Sequence, residues 1–183
     1  MAESYGILII FDSKCLELCN YRGAYMEFKE LIPLKKTNKR PKAGDIFALC
    51  PQKDLYCFGK VIQTNIESND SFMRGMNLIY IYDFFSHTMD LPENLESQKL
   101  LIVEVVNHQL WRKGFAENIY YSEVSEEDLT KDIAFWNVVK KEYVTIKGNR
   151  TDHIPQIKGI FGLGSFGSIG RQLKKILSNR IID

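Results

Sequence analysis

The chain is poor in the features that mark several common function classes. No apolar run approaches the ~18–20 residues that cross a bilayer. The apolar stretch at residues 7–11 is too short for the core of a secretory signal and follows Glu3 rather than a basic segment, so the expected location is the cytoplasm. Neither sign of charge prevails. Lys and Arg number 24 against 23 Asp and Glu, a net charge of +1, and no whole-molecule field selects nucleic acid or an anionic membrane. Histidine is scarce, with His87, His108 and His153 alone, and no H-x-x-x-H, H-x-E or nucleophile-elbow pattern accompanies them. Of the four cysteines, Cys15 and Cys19 have C-x3-C spacing but Cys50 and Cys57 supply no second ligand-like pair, so reduced thiols are expected rather than zinc. These absences predict no metal, no cofactor and no enzymatic role.

One motif argues the other way at first sight. In GIFGLGSFGSIGRQLKKIL (residues 159–177), Gly162, Gly164 and Gly167 stand in G-x-G-x-x-G spacing before a helical pattern. A dinucleotide site needs this loop inside a βαβ unit, with an acidic ribose ligand ~20 residues further on. The sequence given stops at Asp183, soon after the helical pattern, so the second strand is missing. The expectation is a glycine-rich connection that lets the helix turn back onto the sheet. Its N-terminal amides could still hold an anion.

What is plentiful is aromatic and β-branched: eleven Phe, nine Tyr and two Trp in a chain that is 45% hydrophobic. Strands are predicted at residues 5–11 and 24–31, in a hairpin over 45–64 turning at PQKD, and at 77–84, 99–107, 118–124 and 142–148. The strand at 77–84 is apolar on both faces and should be central. Phe47, Tyr56, Phe58, Ile79, Ile81, Val103 and Val105 are the expected core. A short helix should follow Ser125 as N-cap, with Glu126, Glu127 and Asp128 in its first turn. A longer helix should carry Ile169, Leu173, Ile176 and Leu177 on one face, with Ser165 or Ser168 as N-cap.

The expected fold is a β-rich α+β domain, a twisted antiparallel sheet or partly open barrel with a C-terminal helix. Residues 1–183 read as one domain. Residues 1–41 form an N-terminal strand extension and basic connection, 42–148 the β core, and 149–183 the glycine-rich segment and last helix.

Charge is uneven along the chain. Residues 83–96 contain Asp83, Asp90, Glu93 and Glu96 with no Lys or Arg, a local charge of −4. Residues 117–132 sum to −5. Such runs are solvated faces or docking surfaces for a basic partner. The candidate partner-binding residues are Asp83, His87, Asp90, Glu93, Glu96, Glu123, Glu126 and Glu127.

The middle of the chain, KAGDIFALCPQKDLYCFGKVI, then IYIYDFFS, then LPENLESQKLLIVEVVNHQLWRKGFAENI, resembles the immunity protein 26 family of bacterial toxin systems. The likeness covers residues 42–136. Gly44 and Asp45 match the turn leading into the first strand, Phe58 and Gly59 the "FG+V" strand, and Asp83 and Phe84 the I-x-I-x-D-F strand. Trp111 stands near the family's tryptophan. The resemblance implies a cytoplasmic, non-enzymatic inhibitor whose partner is a cognate toxin domain, with no cofactor and no nucleic acid. The alternative is an SH3- or Tudor-like module that reads peptides or nucleic acid.

Overall fold

A computed structural model describes residues 30–180, so the strands expected at 5–11 and over most of 24–31 lie outside the described residues. The hairpin forms as its turn chemistry requires. Strand β1 (Asp45–Gln52) and β2 (Leu55–Gln63) pair antiparallel from Ile46↔Lys60 to Gln52↔Leu55. The two-residue turn places Asp54 at φ 56°, a conformation aspartate tolerates better than most side chains. β3 (Asn77–Ser86) and β4 (Leu100–Val106) extend the sheet on one side, and β5 (Ala116–Tyr121) adds to β1 on the other. β9 (Leu163–Gly164) closes the order β5-β1-β2-β3-β4-β9.

A second sheet holds β7 (Glu142–Val144), β6 (Ile133–Asn137) and β8 (Ile157–Ile160) in the order β7-β6-β8. Among the described residues the α-helices are α1 (Gln109–Arg112), α2 (Glu126–Thr130) and α3 (Phe166–Arg180). The fold is therefore β-rich, with an open, mainly antiparallel sheet and a C-terminal helix. Two pairings are parallel, β4 with β9 and β6 with β8.

The period-2 alternation of the central strands sends alternate side chains into two cores. Phe47, Leu49, Val61, Ile79 and Ile81 pack under Ile169 and Leu173 of α3 and under Leu110 and Trp111 of α1. Ile46, Ala48, Phe58, Tyr80, Tyr82, Val103 and Val105 pack under Phe135 and Val144 of the small sheet and under loop residues such as Ile66 and Leu95. Both faces are covered, which accounts for the doubly apolar β3 and its place inside the sheet. Of the expected core residues only Tyr56 stays half-buried, near the hairpin turn.

Some strands differ in extent from expectation. β5 ends at Tyr121, where Ser122 N–H donates to the Gly44 carbonyl at 2.9 Å and draws the chain across the mouth of the hairpin. Gly44 lies at φ 93°, and a Cβ there would stand 2.6 Å from the Ser122 carbonyl oxygen, so glycine suits this turn on two counts. The expected strand at 142–148 stops at Val144, where the chain turns, with Gly148 N–H donating to the Thr145 carbonyl at 2.9 Å.

Trp111 is a core residue. Its ring meets Phe47 edge-on at 5.5 Å, and its Nε1–H donates to Asn118 Oδ1 at 2.6 Å. The glycine-rich segment also has a structural account. β9 leads into α3, whose first turn is closed reciprocally by Ser165 and Ser168: Ser168 N–H donates to Ser165 Oγ at 3.1 Å, and Ser165 N–H to Ser168 Oγ at 2.8 Å. One carboxylate that reaches this turn is that of Glu104, which accepts from Ser168 Oγ at 3.1 Å and from Gln172 Nε2 at 2.6 Å. Gly164 leaves room for it, since a Cβ there would fall 2.1 Å from Glu104 Oε2. Among the described residues no helix is long and apolar enough to cross a membrane.

Candidate acidic docking cleft

The site begins with a lysine in the middle of an apolar strand. Lys60 shares a register position with Tyr80 and is fully buried. An unpaired ammonium would be far too costly there. Its three N–H donors meet three acceptors instead: Glu96 Oε1 at 2.5 Å, Asp128 Oδ2 at 2.9 Å and the Glu123 carbonyl at 2.9 Å. One lysine thus ties β2 to the short 3-10 turn Leu95–Ser97 and to the start of α2.

Asp128 is set for this by its own helix. Ser125 caps α2, with Asp128 N–H donating to Ser125 Oγ and Ser125 N–H donating to Asp128 Oδ2, both at 3.2 Å. Burial alone would raise the Asp128 carboxyl. The Lys60 ammonium, the Ser125 amide and Lys131 outweigh it and hold the group below the usual aspartate range. Tyr80 Oη–H donates to the Asp128 carbonyl at 3.0 Å, and Ser122 Oγ–H donates to Glu96 Oε1 at 2.7 Å.

Above this ion cluster lies an open cleft of about 500 Å³. One wall is the 91–97 segment with Leu91, Pro92, Glu93 and Glu96, and the other carries Ser122, Ser125, Glu127, Asp128 and Lys131. Ile46 and Tyr120 also line it. Four carboxylates, of Glu93, Glu96, Glu127 and Asp128, thus line the cleft, and two of them, Glu96 and Asp128, hold the Lys60 ammonium. Glu93 and Glu127 are exposed, and their carboxylates have no hydrogen-bond or ion-pair partner among the described residues. Exposed aromatic surface stands in the lining too, from Tyr120 (58% exposed).

The two acidic stretches, distant in sequence, converge here. Glu93, Glu96 and Glu127 line the cleft, and Glu123 contributes its carbonyl to Lys60. Asp90 and Glu126 are exposed and are not among the lining residues. Asp83 is drawn elsewhere, into an ion pair with Arg180 of α3. His87 lies by the β1–β2 turn, its Nδ1 2.7 Å from the Asp54 carbonyl. Among the described residues, no group of three or more His, Cys, Asp or Glu is placed to hold a metal ion. Cys50 and Cys57 are buried free thiols, and burial pushes both up in pKa, which suppresses thiolate chemistry.

Sequence reasoning did not single out Lys60, Asp128, Lys131 or Tyr120. The available signals were a lysine inside the apolar run YCFGKVI and the S-x-x-D capping pattern at Ser125.

The profile of the immunity protein 26 family matches residues 42–145, more than half of the chain. The chain belongs to the immunity protein 26 family. The matched span runs from the turn at Gly44 through β7 and contains every lining residue of the cleft. β8, β9 and α3 fall outside it. Comparison with curated proteins and with solved structures gave no match.

Proposed function

We propose that this immunity protein binds a cognate toxin domain directly and neutralises it without catalysis, and that the acidic cleft is its docking face. The observation that carries the reading is the convergence of two acidic stretches on one cleft within the family span. A buried lysine fixes the floor carboxylates, so the cleft is organised before a partner arrives. Glu93 and Glu127, unpaired among the described residues, accelerate encounter with a basic surface, while Tyr120 supplies an aromatic contact in the same cleft. The same charge repels phosphate, which sets this face against the nucleic-acid-reading alternative. In this reading the protein acts in the cytoplasm, residues 1–183 form one domain, and the family core carries recognition.

The test is co-expression with the toxin domain encoded beside this gene, scored by growth and by association kinetics. The parent is expected to bind and to restore growth. A Glu93→Lys/Glu127→Lys variant should associate about tenfold more slowly at low salt with its thermal unfolding nearly unchanged, because exposed charges add little to stability. Glu96 is unsuited to this test, since reversing it opposes Lys60. A parent that neither binds nor rescues rules out the immunity role.

A further inference from the structure

At the end of the sheet where β2 stops, β3 starts and β4 stops, an open cavity of about 410 Å³ is lined by Thr64, Asn77 and Asn107. It shares no lining residue with the acidic cleft. Among the described residues none that lines it is acidic, and Arg40 gives it a positive charge. Arg40 arrives on a strap fastened on both sides. Thr37 N–H donates to the Trp111 carbonyl at 3.2 Å, and His108 Nε2–H donates to the Lys39 carbonyl at 3.0 Å. Beyond Arg40, Pro41 is buried and Lys42 N–H donates to Asp45 Oδ2 at 2.8 Å. The Arg40 backbone is thus held at the cavity before any ligand arrives. Its guanidinium is exposed, with no hydrogen-bond or ion-pair partner among the described residues.

Two carboxamides in the lining are oriented by the backbone around them. Asn107 Oδ1 accepts from Gln109 N–H at 2.9 Å, so its free end is Nδ2, a donor. Asn77 Nδ2 donates to the Val106 carbonyl at 3.3 Å, so its free end is Oδ1, an acceptor. Asn77 is 9% exposed, and the part of it that stays open lines the cavity. Its Oδ1 has no hydrogen-bond partner among the described residues. Polar atoms on such enclosed side chains are almost always paired, so an unmet acceptor at a cavity wall marks a place for a donor.

We propose that this cavity receives the C-terminal residue of a peptide chain. The terminal carboxylate takes the Arg40 guanidinium and the Asn107 Nδ2–H, and the N–H of the same residue donates to Asn77 Oδ1. Other ligand classes serve the lining less completely. A phosphate or sulfate ion offers acceptors and leaves Asn77 Oδ1 unmet. A metal ion finds no carboxylate. A nucleobase carries both donors and acceptors, but among the described residues no Phe, Tyr or Trp lines the cavity for it to stack on. Pro41 and Met76 give a terminal side chain apolar contact, and the thioether adapts to its shape. The volume suits one residue with the peptide group before it.

The probe is N-acetyl-leucine, titrated into the full chain by heteronuclear NMR. Saturable shifts are expected at the Asn77, Asn107 and Gln109 amides. Two analogues divide the claim: N-acetyl-leucine amide lacks the charge, and the acetoxy acid of the same skeleton has oxygen in place of the N–H. Each should bind about tenfold more weakly, or worse. Arg40→Gln should weaken N-acetyl-leucine about tenfold, whereas Arg112→Gln, on α1 outside the lining, should leave it unchanged. Thermal unfolding of Arg40→Gln should match the parent, because the exposed guanidinium has no partner to lose. Absence of saturable shifts, full affinity for either analogue, inorganic phosphate binding as tightly as N-acetyl-leucine, or an Arg40→Gln protein that binds like the parent would overturn the assignment. The titration needs no toxin and does not touch the acidic cleft. A parent that protects cells yet ignores N-acetyl-leucine loses this inference alone, and one that binds it yet gives no protection loses the immunity role alone.

Discussion

The sheet buries a charge on each face, and the two are handled in opposite ways. Lys60 lies opposite Tyr80, on the face covered by the small sheet and the cleft loops, and is met by two carboxylates and a carbonyl. Glu104 lies opposite Ile79, on the face covered by α3, and accepts only from the neutral groups of Ser168 and Gln172. The opposing charge acting on it, Arg171, is itself paired with Glu30 at 2.6 Å. The cation therefore sits in an ionic network that pulls three segments together and shapes the cleft. The anion sits in a hydrogen-bonded socket that fastens α3, which lies outside the family span, to β4, which lies inside it. Ion clusters and neutral sockets respond differently to truncation, to crowding and to pH, so the contrast can be tested at each point.

The largest effect is expected from breaking the ionic side. Lys60→Met preserves much of the side chain's volume and removes its charge, leaving Glu96 and Asp128 facing each other without their shared cation. Removing one partner of a buried pair costs about 3–5 kcal/mol, because the remaining charges stay desolvated. Urea denaturation at neutral pH would measure the loss. Neutralising the acids too, as Lys60→Met/Glu96→Gln/Asp128→Asn, should recover part of it. A Lys60→Met protein as stable as the parent would mean that the cluster does not hold the cleft together.

Next in size is a test of how tightly the socket fits. Gly164→Ala places a methyl 2.1 Å from Glu104 Oε2 and 3.2 Å from the Val105 carbonyl oxygen. Glu104 is buried and bonded to two side chains of α3, so it cannot swing aside freely. Overpacking of this kind costs about 1–3 kcal/mol. The same change in a Glu104→Ala background should cost clearly less, because the colliding carboxylate is gone. Thermal unfolding of the four proteins in the cycle measures that coupling. Strict additivity would show that the glycine is needed for a reason other than Glu104.

These two sites also show which parts of the molecule could be read from the sequence. Local chemistry was legible. The double apolar face of 77–84 identified a central strand, Pro-Gln-Lys-Asp identified the hairpin turn, and Ser125 announced α2. Pairings that join distant residues were not. β6 and β8 have five and four residues, too few for a periodic signal, and their parallel partnership depends on tertiary packing. The acidic stretches were visible as composition, but their meeting required Lys60 to reach Glu96 and Asp128, 36 and 68 residues away. Asp83 was counted with them, yet it is paired with Arg180, 97 residues further on. The glycine motif reads as a connection turning the helix back onto the sheet, but spacing alone does not say what fills the space. Here it is a carboxylate from β4 at Gly164, and Glu30 against Gly167.

The smallest effect is the most discriminating, because it turns on sign. Burial raises the Glu104 carboxyl above the ordinary 4.5, and the hydrogen bonds from Ser168 and Gln172 together with the charge of Arg171 only partly offset this. The folded protein therefore holds that proton to higher pH than the unfolded chain does. Across the interval from 4.5 up to the folded value, the folded state binds more protons, and this group's contribution to stability falls as pH rises. Asp128 runs the other way: held below its ordinary 3.8, it contributes stability above that value and loses it as pH falls through the folded value. Glu104→Gln removes the first titration while keeping the shape and one acceptor, so it should match the parent within about 1 kcal/mol. The gap should shift in the variant's favour as pH rises past 4.5, then level off. Asp128→Asn should be the less stable protein at neutral pH and approach the parent only in acid. Urea denaturation of parent and both variants across the range from acid to neutral gives the two slopes side by side. If the Glu104→Gln gap moves against the variant as pH rises, the carboxylate is stabilised as an ion in its socket, and the two faces of the sheet treat their charges alike.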